Sequence, residues 1–229
     1  MKIIKFIPWL GESSIPEYKP VKASLPSWWK DGENEFELHP GETAHGMKTC
    51  IPFMEIMMTG YVLRTPFDIY VTKNEDGTIN IKWNGPREWE SFVGERPKEL
   101  GATIPRPAGH EPMGFTWSSQ WSWKTPRGYS TLVTHPFNRN ELPFTTLNAV
   151  MDSDKFNAQG NVPFFLKKDF EGIIPAGTPF AQIYPFKREK WGSFIDDSFN
   201  DNIFKKQIAN LRKPNGSYKK KFWQKKEFS

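Results

Sequence analysis

From Met113 onward the chain is cut into short apolar runs, each stopped by a cluster of turn-forming residues. Phe115, Trp117, Trp121 and Trp123 alternate around polar neighbours, and further runs follow at 129–133, 145–151, 162–166, 170–174 and 180–186. The stops fall at 125–128, 138–140, 152–154, 167–169 and 175–177. Period-2 alternation puts every second side chain on one face of a strand, whereas a helix needs a longer unbroken repeat. The rhythm therefore predicts an all-β (mainly β) sandwich or barrel. Hydrophobic residues make up 37% of the chain, yet 19 Phe, 10 Trp and 6 Tyr let few side chains fill a core. Twenty prolines and 17 glycines argue against a helical bundle.

Upstream, residues 50–60 read as a short helix or a buried strand, and 61–63 and 67–71 as strands. Asn74, Glu75, Asp76 and Gly77 then form a turn into a strand with Ile79, Ile81 and Trp83 on one face, a β-hairpin. Residues 1–30, with Trp9, Trp28 and Trp29 among scattered prolines, read as an extended arm. Residues 84–112, polar and rich in Pro and Gly, read as a long loop. At the other end, Phe199, Ile203, Ile208 and Leu211 share a helical face, with Asp196 and Asp197 at its start; a shorter basic helical stretch is expected over 217–228. The expected organisation is a β-rich domain over 1–195 and a helical basic tail over 196–229.

The net charge of +5 belongs to that tail. Residues 205–229 hold nine basic residues against Glu227, a balance of +8, and the other 204 residues carry 22 basic and 25 acidic, a balance of −3. One cysteine, Cys50, excludes an intramolecular disulfide and a Cys-cluster metal site. No signal-peptide pattern and no apolar run long enough to span a bilayer occur, so a cytoplasmic setting without a transmembrane segment is expected. Phosphate loops and the Gly-x-Ser-x-Gly elbow are absent. His39, His45, His110 and His135 lack the spacing of an iron facial triad or a cupin site, and a His39/His45/His110 metal site is outweighed by ordinary surface or core histidines.

In order, the chain reads Pro-Arg-Gly-Tyr-Ser at 126–130, Ala-Val-Met-Asp-Ser-Asp at 149–154 and Gly-Thr-Pro-Phe-Ala-Gln at 177–182. This order resembles the dUTPase and dCTP deaminase superfamily, where a Pro-x-Gly-Tyr strand precedes Gly-Val-Ile-Asp-x-Asp-Tyr and a Gly-x-x-x-Ala-Gln turn. Phe67, Asp68 and Ile69 stand where that superfamily has an early Asp-Leu element. The resemblance implies a β-clip or jelly-roll-like fold, Asp152 as a carboxylate that activates water, Gln182 in the ligand site, an oligomer, and Mg if hydrolysis is retained. The departures are specific. The phosphate-contacting Arg-Ser motif is replaced by residues 135–141, where only Arg139 fits. Ala149 stands for a Gly, and Lys155 or Phe156 for the sugar-stacking Tyr. Trp191, Gly192, Ser193 and Phe194 stand where a Gly-rich arm would close over phosphates. In style the sequence is also similar to proteins of large tailed phages of marine cyanobacteria.

Two functional readings compete. In the first, the chain is a non-enzymatic β-rich binding or assembly module, in a phage virion or as an accessory protein, joining copies of itself or other subunits. In the second it is a diverged dUTPase-like nucleotide pyrophosphatase or deaminase using Asp152, with Arg139 and tail lysines holding phosphate. Without catalysis, Asp152 and Asp154 are simply a strand-end turn with Asx chemistry. Trp117, Trp121 and Trp123, with Trp83 and Trp89 beside the long loop, are candidates for stacking on a ligand, although tryptophans at period 2 more often fill a core. Lys219, Lys220, Lys221 and Trp223 are the candidate partner-binding residues, and nucleotide or nucleic-acid phosphates are a further possible partner of the basic tail.

Overall fold

The computed structural model describes residues 2–9, 17–85, 92–96, 99, 103–156, 160–198, 201–211 and 217–226. It falls into two compact units, Met1–Ala23 with Gly60–Arg188, and Ser24–Thr59 with Glu189–Ser229. The residues of the helical tail thus group with 24–59.

The first unit is built from antiparallel strands. One five-stranded sheet has the order β13 (Ala149–Met151), β11 (Tyr129–Thr134), β16 (Pro179–Lys187), β5 (Tyr61–Arg64) and β2 (Val21–Lys22). A four-stranded sheet runs β12 (Phe144–Thr146), β14 (Asn161–Lys167), β9 (His110–Ser118) and β8 (Val93–Glu95). Smaller sheets join β15 (Gly172–Ile174), β6 (Ile69–Lys73) and β7 (Ile79–Trp83), and β1 (Lys5–Pro8) with β10 (Trp121–Lys124). Apart from β8 and β9, neighbours in the two large sheets are not consecutive strands in sequence, as in the crossing connections of a jelly-roll-like sandwich.

The core lies between these sheets. Phe164 of β14 sits opposite Phe115 of β9, and Val162 opposite Trp117. Diagonal neighbours share a face, so Trp117 and Phe164 stack with centroids 3.8 Å apart and planes 9° from parallel. From the other sheet, Phe180 of β16 reaches Trp117 at 5.3 Å and Phe92 at 6.0 Å. Leu63, Val133, Ala181 and Ile183 complete that wall. Such aromatic contacts add about 0.5–1.5 kcal/mol each beyond the area they bury.

The expected hairpin is present: β6 pairs with β7 from Ile69↔Trp83 to Lys73↔Ile79, with Gly77 at φ 80° in its turn. Three expectations need correction. Residues 84–112 are not one long loop, because Val93–Glu95 pairs with β9, which itself begins at His110, and Phe92 is buried in the core. Residues 1–30 are not simply an arm: β1 and β2 are paired strands, and Ser27–Asp31 is a helix. The single run 145–151 is two strands, since β12 pairs with β14 and β13 with β11.

The second unit holds the Ser27–Asp31 helix, a hairpin of β3 (Glu35–His39) and β4 (Glu42–His45), a helix at Ile51–Met57, and helices at Asp201–Leu211 and Ser217–Lys221. Trp29 is buried against Phe53, and Lys48 donates to the carbonyls of Lys30 and Gly32 that end the first helix. Among the described residues, no helix is long and apolar enough to cross a membrane.

Candidate functional site

Strand register assembles a charged cluster around the start of β11. Tyr129 lies opposite Lys187 of β16, and Thr131 opposite Met151 of β13, so the residues just past β13 and β16 meet beside 128–130. Residues 152–154 alternate there. Ser153 turns inward, fully buried, and its hydroxyl is within hydrogen-bond distance of Thr131 at 2.6 Å and Thr125 at 2.8 Å. Asp152 and Asp154 meet Arg188.

Arg188 Nη1 donates to Asp154 Oδ1 at 2.9 Å and to Asp152 Oδ1 at 3.2 Å, and Nη2 donates to Asp154 Oδ2. The Gly128 amide donates to Asp154 at 2.8 Å, and the Ser130 hydroxyl to Asp152 Oδ1 at 2.7 Å. The Asp154 side chain is only 3% exposed, and the guanidinium, followed by the Gly128 amide, holds its carboxyl far below the usual carboxylate range. Arg188 is shifted upward by the same pair. This forked pairing is strong and directional, and it ties together the ends of three strands. Asp152, 59% exposed, already spends Oδ1 on Ser130 and Arg188.

A cation such as Mg does not fit this cluster. The space between the two carboxylates is filled by a guanidinium, and among the described residues no three His, Cys, Asp or Glu side chains gather as metal ligands. His39 and His45 belong to the β3–β4 hairpin. His110 lies within hydrogen-bond distance of the Thr145 hydroxyl at 2.8 Å and the Ala108 carbonyl at 3.0 Å.

Arg139 and Gln182 are not beside Asp152. Gln182 faces Thr134 at the far end of β11, about 17 Å along the strand from Tyr129. Its side-chain oxygen accepts from the Phe137 amide at 2.9 Å, and it is buried. Arg139 is paired to Glu141 through Nε. The guanidinium beside Asp152 is Arg188, which sequence reasoning missed. It lies one residue past the end of β16, its amide donating to the Gly128 carbonyl at 2.9 Å, and no local sequence signal marks it.

Trp117, Trp121 and Trp123, candidates for stacking on a ligand, lie in the core, the commoner place for tryptophans at this spacing. They are 0%, 8% and 2% exposed, and their indole nitrogens are buried without a protein acceptor. Trp83 is half-buried against Phe92, and Trp89 lies outside the described residues. In the tail, Lys219, Lys220 and Lys221 are exposed. Trp223 is engaged within its own unit: its indole N–H donates to Glu55 at 2.8 Å, and Lys226 pairs with the same carboxylate at 2.7 Å.

One exposed surface was not anticipated. Residues 189–198 carry no helix or strand, and Trp191, Phe194 and Ile195 are 84%, 88% and 96% exposed. Single exposed apolar residues are ordinary, whereas three within five positions are a local concentration of exposed apolar side chains.

No protein-family model matches the chain, and no curated protein matches it. Among solved structures, it is similar to a point mutant of the dUTPase from phage phi11 of S. aureus, a structure concerned with the coordination of a structural Mg(II) ion. The identity is 9%, the match covers 79% of this chain and 97% of that one, and the TM-score is 0.33.

Proposed function

We propose that this chain is a non-enzymatic assembly module that holds protein subunits together through residues 189–198. The observation that carries this reading is the near-complete exposure of Trp191, Phe194 and Ile195 on one extended segment. Fully burying such side chains is worth roughly 1.5–3 kcal/mol each for the smaller ones, a large incentive to find a partner. A setting in a tailed-phage particle, or as an accessory protein in the host cytoplasm, belongs to the same proposal. The hydrolase alternative is weakened by Arg188, which takes up one oxygen of Asp152 and the space a metal would need, and by the distance of Arg139.

Light scattering on the purified chain tests the proposal. The wild type is expected at a multiple of 26.6 kDa, and a Trp191→Ser/Phe194→Ser/Ile195→Ser variant at or near that monomer mass with unchanged circular dichroism. A strictly monomeric wild type at about 100 μM, a hundredfold above the Kd that binding of roughly −8 kcal/mol gives, counts against it. In parallel, deoxynucleotides with Mg²⁺ are expected to stay intact. Turnover abolished by Asp152→Asn is the result that reinstates the enzyme.

A further inference from the structure

We propose that residues 189–198 seat in the groove beside β15 of a second copy of this chain, an inference that rests on the assembly reading. Among the described residues β15 is an edge strand paired with β6 alone, so one row of its backbone donors and acceptors faces away from any described strand. Its central side chain, Ile173, is 54% exposed. Beside it lies a cavity of about 430 Å³, walled by Ile173, Phe170, Leu142 and Pro143. That is within the roughly 300–1,000 Å³ of sites that enclose a drug-sized molecule.

Charge selects the occupant. Four charged residues line the groove: Glu141, Lys167, Lys168 and Asp169. Glu141 is paired with Arg139, and Asp169 shares Lys73 with Glu111, so Lys167 and Lys168 leave the groove net positive. Lys167 donates to the Asn140 carbonyl, and no carboxylate pairs with it or with exposed Lys168 among the described residues. The groove therefore presents an apolar floor with cationic flanks. Residues 189–198 present the complement: Phe194 and Ile195 are followed at once by Asp196 and Asp197. Asp196 is held locally by Ser198, which leaves Asp197 to reach outward. An extended segment can add to a free sheet edge through its backbone while its side chains enter the adjoining cavity. The same two aspartates, placed directly after the apolar pair, oppose an anionic membrane or nucleic acid as the partner.

The test uses the full chain with exposed Cys50 replaced by Ser. Once assembly of this background is established by light scattering, Ile173→Cys protein is mixed with Phe194→Cys protein under mild oxidation. A disulfide-linked dimer of one of each is expected, at a yield well above either protein alone. Separately, Lys168→Glu and Asp197→Lys are each expected to weaken association about tenfold, and the two together to restore most of it, as a direct charge pair requires. An assembly that forms normally yet gives no mixed cross-link and no rescue overturns the groove and leaves the assembly reading standing. A cross-link confined within a single doubly substituted chain also overturns it. A monomeric background removes both proposals together.

Discussion

At the level of single residues, the closest approach to backbone among the described glycines is at Gly60. It has φ 74°, and a Cβ there would lie 2.1 Å from the Ile183 carbonyl oxygen of β16. Gly77 provides the control, with φ 80° and open space around its missing Cβ. Gly77→Ala is expected to cost only the left-handed backbone term, about 1–2 kcal/mol. Gly60→Ala adds a steric overlap that only a displacement of β5 from β16 relieves, so it should cost at least about 1 kcal/mol more than Gly77→Ala. Urea midpoints of the two variants decide the matter, and equal losses would mean that the contact with Ile183 is not constraining. The charged cluster was half-legible at this scale. Asp152 and Asp154 stand out as a carboxylate pair in the turn that follows β13, with Ser153 turned inward between them. Arg188 did not stand out, because nothing local to it says that β16 will lie against β11 in the register that brings it to residue 152. Long-range register is set by the buried face of the whole sheet, not by the residue's neighbours.

Among elements, the segment between β11 and β12 has a titratable pin. His135 is half-buried, Nε2 donates to the Arg139 carbonyl at 3.0 Å, and Nδ1 accepts from the Thr146 amide at 3.3 Å. Burial lowers its pKa from the usual value, more than the Arg139 carbonyl and Glu141 raise it. Protonation would also turn Nδ1 into a donor facing an amide donor. The folded chain thus resists a proton that the unfolded chain accepts below about pH 6.5. Stability is fully present above that value and falls as pH drops through the window between the unfolded and folded pKa, by at most about 1.4 kcal/mol per pH unit. Urea midpoints from pH 7.5 to 5.0 should show this decline, and His135→Gln should flatten it; an unchanged slope would show that His135 is not responsible. Elements whose signals are local were readable from sequence. The β6–β7 hairpin is an example, because its turn and its alternating face lie within fifteen residues. β8 was not, because three residues in a polar, proline-rich stretch carry no period. Only pairing with Trp117 and Phe115 of β9 makes Val93–Glu95 a strand. Tryptophan at period 2 likewise has one sequence signature for a core and for a stacking platform, and burial alone separates them.

On the scale of the whole molecule, contacts of the second unit come from both ends of the chain, 24–59 and 189–229. Glu55 is the fastening point between those stretches, taking the Trp223 indole N–H and the Lys226 ammonium on its two oxygens. Burial pushes its carboxyl upward, but Lys226 and Trp223 outweigh that effect and leave it lowered. Glu55→Ala removes both contacts at once without touching a residue of the β-sheet unit. Proteins open sub-globally in contiguous cooperative units. Hydrogen exchange should therefore quicken across the Ile51–Met57 helix and residues 217–226, with protection in β5, β11 and β16 unchanged. Equal loss of protection in the sheets would mean that the chain unfolds as one body. If only the second unit loosens, the tail's tryptophan serves the fold of its own unit, as its bond to Glu55 leads one to expect.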